Sequence, residues 1–398
     1  MDETRGKHKL FGLVLVVGVL LLFLLCGVAG AADKKPPVKV GAVLPLSGGF
    51  EIYGNLGVQG AKMAISEINA AGGVLGGRKM ELIIEDNKTD PKTSVEKTEK
   101  VILRDKVVAV MGPVSSAARD AMTPVVTKHK TPLLYGIDYE GGACNRYLFC
   151  YSPIPDHYIK PLIPYLAAEY GKSFYVFGYD YVWPHKMAEA IDREVKAVGG
   201  EIKGVTYTPF GVKDFAPTIQ KIAQSGAKVL MLILPGADGF TFIKQFTEFG
   251  LKKNIKLVAI ASEENYLSAL TPEQSEGIIT CLQFVSSMDK PETKSFVERQ
   301  KKMFGEKTVV TYAAESHYGL IMLLKNAMEK AKSDNKEKII DAMGDLTITV
   351  GNGPVTMRKM DHHMVLNMVI AEFTGGKLLA KKDIGPIHPG NQCEGKKQ

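Results

Sequence analysis

The chain is poor in the residues that build metal and redox centres. It has five cysteines, eight histidines and one tryptophan in 398 residues. No Cys-x-x-Cys occurs, so no redox or zinc motif is visible. His362 and His363 are adjacent and on a strand would point to opposite faces, which makes a poor metal pair; they read as solvated or satisfied side chains. His-Glu-x-x-His, Gly-x-Ser-x-Gly and a phosphate-binding Walker loop are all missing. Gly72-Gly-Val-Leu-Gly-Gly77 ends a helical pattern instead of opening one, so it is not a dinucleotide fingerprint. Together these absences argue against an enzyme, and neither a cofactor nor a metal is implied.

Charge of one sign is not concentrated either. The net charge is +7, of which residues 1–32 hold +1, and the rest is spread apart from pairs such as Lys381-Lys382 and Lys396-Lys397. A nucleic-acid binder would be expected to cluster its bases with interleaved aromatics. With 45% apolar and 23% charged residues, the composition is that of a folded globular protein. It excludes a disordered chain, a coiled coil and a polytopic membrane protein. The length allows two lobes or more, at roughly 100–200 residues per domain.

What is present begins with an address. Arg5, Lys7 and Lys9 precede an uncharged apolar run, Leu10 to Leu25, and small residues follow up to Ala32. This is the layout of a secretory signal, with cleavage after Ala31 or Ala32. The alternative is an uncleaved anchor, since Leu10 to Ala32 carries no charge over 23 residues. A lipid-modified Cys26 is disfavoured because Leu24-Leu25 precede it, where small residues are usual. Either way the bulk of the chain is exported, to a periplasmic or extracytoplasmic site. In an oxidising compartment Cys144 and Cys150, flanking five residues in a loop-like stretch, are candidates for a short bridge, the alternative being two free thiols.

Periodicity then gives an α/β class. Strand patterns at Val38–Leu44, Met80–Glu85 and Val107–Met111 alternate with helical ones at Asn55–Ala71 and Ser94–Arg104. This order implies parallel pairing with right-handed crossovers. The pattern restarts after Ser152-Pro-Ile-Pro155 with strands at Ser173–Phe177, Val229–Leu234 and Leu257–Ile260 and a helix at Lys186–Val198. Two parallel-sheet lobes follow, with a boundary near residue 154. In the tail, helices at 294–304, 315–331 and 337–343 precede strands at 347–350 and 364–373, and Gly375-Gly376 is a turn signal.

A series of short motifs carries a family likeness. Lys39-Val-Gly-Ala-Val-Leu-Pro-Leu-Ser-Gly48 is followed by Tyr53-Gly54, Gly60-Ala61 and Glu67-Ile-Asn-Ala-Ala-Gly-Gly73. Leu75-Gly-Gly-Arg78, Glu85-Asp86, Asp90-Pro91 and Gly112-Pro-Val-Ser-Ser116 complete it. In this order the series resembles the leucine/isoleucine/valine-type substrate-binding proteins of ABC importers, over residues 38 to about 380. The resemblance implies a type I periplasmic binding protein, with two α/β lobes joined by three crossing strands. It implies a signal peptide over 1–32, lobe one over 33–153 and 288–353, and lobe two over 154–287 and 354–398. It also implies a small-molecule ligand, permease subunits in the membrane as partners, and a monomer. Tyr135-Gly-Ile-Asp-Tyr-Glu-Gly141 and Asp180-Tyr-Val-Trp-Pro184 further resemble motifs of the branch that binds short amides and urea, which has Pro and Thr where this chain has Gly136 and Ile137.

Candidate ligand residues follow from strand ends and from that likeness. Ser115 and Ser116 sit where a strand hands over to a helix, whose free N–H groups favour an anionic or acceptor group; one serine capping the helix is the plainer role. Tyr135, Ile137, Tyr181 and Trp183 are candidate walls, with ordinary core packing as the alternative for the aromatics. Asp238 and Glu263 follow strands, at the ends where open α/β sheets bind ligands. The resemblance places Glu263 against a ligand's ammonium, while an exposed loop carboxylate is the usual fate of Glu. Glu263 favours a branched-chain or hydrophobic amino acid, whereas the Tyr and Trp-Pro motifs favour an amide or urea. An exported sensory domain of the same fold is the alternative of another class.

Overall fold

A computed structural model describes residues 35–396, and the proposed signal segment lies outside the described residues. Its first half is a five-stranded sheet in the order β2-β1-β3-β4-β5, parallel throughout. The strands are β1 (Val38–Leu44), β2 (Met80–Asp86), β3 (Ala109–Met111), β4 (Leu133–Tyr135) and β5 (Leu148–Cys150). Helices α1 (Glu51–Ala70), α2 (Pro91–Leu103) and α3 (Ser116–Lys128) make the crossovers. Strands β1, β3, β4 and β5 are buried almost throughout, which is why they read as continuous apolar runs. Helices α2 and α3 open on side-chain caps, Asp90 and Ser115. Asp90 shows this: its Oδ1 accepts from Thr93 N at 2.6 Å and Pro91 opens α2, an arrangement that stabilises a helix by about 1 kcal/mol.

The second half begins with α4 (Pro155–Tyr170) and continues as β6 (Ser173–Tyr179), α5 (Val182–Ala197), β7 (Glu201–Thr208), α6 (Ala216–Gln224), β8 (Val229–Ile233), α7 (Ala237–Glu248) and β9 (Lys256–Ala259). After a 3-10 turn at Glu264–Ser268 come the short α8 (Pro272–Ser275) and β10 (Ile279–Leu282). Strands β10-β9-β8-β6-β7 lie side by side and parallel. The chain then forms α9 (Pro291–Phe304), α10 (Tyr312–Ala331) and α11 (Lys336–Met343). Helix α10 packs on α1 of the first half. Gly60 makes that approach close: a methyl group there would lie 2.0 Å from Ala314 O, so no larger residue fits without moving the helices apart.

Four strands finish the fold: β11 (Leu346–Val350), β12 (Gly353–Met357), β13 (Met364–Thr374) and β14 (Lys377–Ile387). Strand β13 changes neighbour along its length. Met364 and Val365 pair antiparallel with β12, and Val369 to Glu372 pair antiparallel with β10. Strand β14 follows β13 along the other edge, with register shifts at Met368/Val369 and Ile370/Ala371.

The cysteine expectation is corrected. Cys144 bonds Cys393, not Cys150. Cys150 ends β5 with its thiol buried in the core, where burial pushes it up to about 12, and it is free. Cys144 lies in the loop before β5 and meets the tail that returns after β14, with a Cα–Cα distance of 5.2 Å. Nearness in sequence favoured Cys150, whereas the tail supplies a partner 249 residues away. The same tail is held by Gly142 N donating to Gln392 Oε1 at 2.8 Å and Arg358 Nη2 donating to Gly390 O at 2.9 Å. His362 and His363 fall in the turn before β13, not on a strand; His362 stacks on Phe149 and His363 bonds Tyr139.

Candidate functional site

A cleft of about 410 Å3 opens at the carboxyl ends of the strands. Its wall is assembled from the starts of helices in both halves. Phe50 and Tyr53 come from the start of α1, Ser115 and Ser116 from α3, and Tyr181 and Trp183 from α5. Pro235 comes just before α7, and Tyr312 opens α10. Val114, Ile137, Asp138 and Ala261 complete it. The first N–H groups of a helix lack intrahelical partners and carry the positive end of its dipole. Several such ends turned toward one apolar cleft favour an anionic or acceptor group on the ligand.

The serines do different work. Ser115 is the N-cap of α3, accepting from Ala118 N at 3.3 Å. Ser116 is buried and its Oγ donates to Glu140 Oε2 at 2.7 Å. With its proton directed to Glu140, the Ser116 oxygen has only lone pairs to turn toward the cleft, and the donors at this end are backbone N–H groups of α3. Arg119, one turn on, bonds Glu140 Oε1 at 3.0 Å and lies over the rings of Tyr135 and Tyr139. Neither Arg119 nor Tyr135 lines the cleft. Tyr135 instead donates from its hydroxyl to Val114 O at 2.7 Å, pinning the strand end that carries the serines.

Asp138 is the carboxylate that faces the ligand space, and sequence reasoning missed it. It follows β4 beside Ile137, within the quoted Tyr135–Gly141 motif, which was the available signal. Burial pushes its carboxyl up to about 6, while the Tyr312 hydroxyl, donating at 2.6 Å, pulls the other way. Glu263 lies behind the wall. It is fully buried, accepts from Asn265 Nδ2 at 2.8 Å and from Ala313 N at 3.4 Å, and burial raises its pKa well above the usual carboxylate range. The inward turn after β9 thus sets Glu263 against the first turn of α10, whose N-cap is Thr311. Asp238 also stands off the cleft: its Oδ2 accepts from Gly211 N at 2.6 Å, anchoring the loop after β7. Of the eight sequence-derived candidates, Ser115, Ser116, Ile137, Tyr181 and Trp183 come together, while Tyr135, Asp238 and Glu263 support them from outside. Tyr53 stood in the quoted Tyr53-Gly54 motif without being read as a wall residue, whereas Phe50 and Tyr312 carried no motif and were found only by folding.

Two α/β halves share a cleft walled by helix starts, and among the described residues no group of three or more His, Cys, Asp or Glu is placed to hold a metal. The chain belongs to the periplasmic binding protein family, whose pattern it matches over residues 37–377. Its homologues are solute-binding proteins of ABC transporters, which transport and do not catalyse. It is 25% identical over 382 residues to Leu/Ile/Val-binding protein homolog 6 of Brucella abortus (strain 2308), covering 93% of each chain. Among solved structures it resembles a solute binding protein from R. palustris in complex with benzoate, with a TM-score of 0.81 and 20% identity over 89% of this chain and 98% of that one. A branched-chain amino acid transporter substrate binding protein from Streptococcus pneumoniae, in complex with isoleucine, gives a TM-score of 0.79 and 22% identity over 88% and 100%. The fold is therefore the type I periplasmic binding fold. No helix among the described residues is long and apolar enough to cross a membrane.

Proposed function

We propose that this chain is an exported receptor that captures a small hydrophobic amino acid between two lobes and delivers it to the permease of an ABC importer. One observation carries the ligand reading: a single acidic side chain, Asp138, shares an aromatic cleft with the start of α3. The α3 N–H groups would hold the carboxylate. Asp138, steadied by Tyr312, would hold the ammonium with the Ser116 oxygen as a second acceptor. Phe50, Tyr53, Tyr181 and Trp183 would enclose the side chain, burying apolar area at about 25 cal/mol per Å2.

Residues 33–153 with 288–353 form lobe one in this reading, and 154–287 with 354–398 form lobe two. The three crossings near 154, 287 and 354 act as the hinge. The packing of α10 on α1 supports the return of the chain to lobe one. The receptor works as a monomer, released outside the membrane by cleavage after Ala31 or Ala32.

An aromatic carboxylate is the second reading, favoured by the five aromatic rings in the wall. It has no ammonium, so a charged Asp138 would repel it. Short amides or urea, a third class, offer no charge to Asp138 either. Calorimetry with leucine, isoleucine, benzoate, acetamide and urea at pH 7.5 tests the proposal. Leucine or isoleucine should bind, and Asp138→Asn should weaken them at least about tenfold, the loss expected for a charge-assisted bond. Benzoate or urea binding alone, untouched by Asp138→Asn, would overturn it.

A further inference from the structure

Phe210 is an aromatic side chain with no obvious reason to be where it is. It sits in the loop after β7 and is 57% exposed, so core packing does not hold it there. Its ring stacks on Tyr179 at 4.1 Å between centroids and lies 5.6 Å from Tyr181, both from the second half. On its other side it meets Phe50, from the first half, edge-on at 6.5 Å. Phe50 and Tyr181 both line the cleft. Phe210 therefore joins the two halves at the rim, standing between Phe50 and Tyr181 in the aromatic run Phe50, Phe210, Tyr181, Trp183.

The loop that presents it is held in place. Asp238 accepts from Gly211 N at 2.6 Å, Gln245 Oε1 accepts from Phe215 N at 2.8 Å, and Gln245 Nε2 donates to Lys213 O at 2.8 Å. Gly211 has φ +83°, a left-handed turn that suits glycine, directly after Phe210. The rim is also narrow next to it: a methyl group on Gly236 would stand 3.8 Å from Gly49 O of the first half.

We propose that Phe210 is a latch that sets how long the receptor keeps its ligand, and that Asp238 is a positioning residue acting through it. The inference rests on the solute-receptor reading of the cleft. When the halves separate, Phe210 keeps Tyr179 and Tyr181, which travel with it, and loses only Phe50. Its contact with Phe50 belongs to the closed state alone, so it slows opening and leaves entry into the open cleft unaffected. Aromatic pairs of this kind are worth enough to change a rate by about two- to tenfold.

Stopped-flow fluorescence of Trp183, with isoleucine as probe and benzoate if isoleucine does not bind, reads both rates. Phe210→Ala should speed release about two- to tenfold and change the association rate less than about twofold, as interface changes usually do. Phe210→Tyr should restore slow release. Asp238→Ala should speed release in the native background and add nothing to Phe210→Ala. Unchanged release in Phe210→Ala, or equal loss in association, would overturn the latch. A ligand-free measurement separates this from the receptor reading: Phe50→Cys with Phe210→Cys should be joined by a short bis-maleimide, and neither single variant should. Cross-linking in a protein that binds neither probe would leave the contact standing and overturn the receptor reading; no cross-linking would overturn the latch.

Discussion

The hydroxyl of Tyr312 donates to Asp138 Oδ1 at 2.6 Å, tying the first turn of α10 to the segment after β4. A partly buried carboxylate is costly unless it is bonded, and this bond offsets part of that cost while leaving Oδ2 for a ligand. An ammonium would pair with the ionised form only. Because burial raises the carboxyl to about 6, amino-acid affinity should be flat above pH 7 and fall by about tenfold per unit below pH 6. A carboxylate without an ammonium should bind better over the same interval. Tyr312→Phe should move the midpoint upward. A calorimetric pH series checks all three, and amino-acid affinity constant from pH 7.5 to 5 would count against the assignment.

Glu263 and Asp138 should separate cleanly in mutagenesis. Glu263 is engaged with Asn265 and Ala313 beneath the wall, so Glu263→Gln should shift stability by about 1–3 kcal/mol, the range for a disturbed buried hydrogen bond. It should leave the preference for amino acid over amide unchanged. Chemical denaturation and a ligand panel measure the two effects, and a changed preference would return Glu263 to the ligand shell.

Closing a chain segment of 249 residues, the Cys144–Cys393 bond should stabilise the oxidised protein by about 2–4 kcal/mol. Cys144→Ser and Cys393→Ser should cost the same amount, and the double variant no more. Cys150→Ser should leave the bond intact. A non-reducing peptide map should join the 144 and 393 peptides; a 144–150 linkage would contradict the structure.

Glu315 makes stability depend on pH. It is fully buried, accepts from Asn352 N at 3.1 Å and Tyr151 OH at 3.3 Å through Oε1, and Oε2 has no partner. Burial raises it to about 8. A carboxyl raised on folding stabilises the protein at low pH, and that stability is lost as pH rises through the folded value. The melting temperature should therefore fall by about 2–4 °C between pH 6 and 9, and Glu315→Gln should flatten that decline. An equally steep decline in the variant would assign the effect to another group.

Much of the scaffold was legible because the physics of its elements is local. The inner parallel strands are buried on both faces, so Val38–Leu44 matched its observed bounds and 229–234 differed by one residue. Helix starts were read late, since turns such as Asp90-Pro91 are fixed by capping and carry no apolar stripe. The short β4 and β5 have three residues each, too few for a period to show. For the site, strand-end logic found the region, but three candidates lie behind the wall. Whether a side chain at a strand end faces the ligand or the layer beneath depends on a turn of one or two residues. Ala261, at φ +59°, makes such a turn just ahead of Glu263. The Cys144–Cys393 pairing was out of reach for another reason: it depends on where the tail goes after β14.

Strand β13 is shared property. Its start belongs to β12 and its end to β10, and the exchange falls where the register with β14 slips. A β-bulge leaves one residue out of the ladder, and there the strand bends and its twist increases. In the proposed two-lobe receptor the chain at this point would act as a torsion bar: turning one lobe against the other would wind the strand, whereas sliding would break a row of bonds. Such a bar would steer motion into one rotary freedom whose displacement grows with distance from it, so the rim would travel furthest for the least distortion at the root.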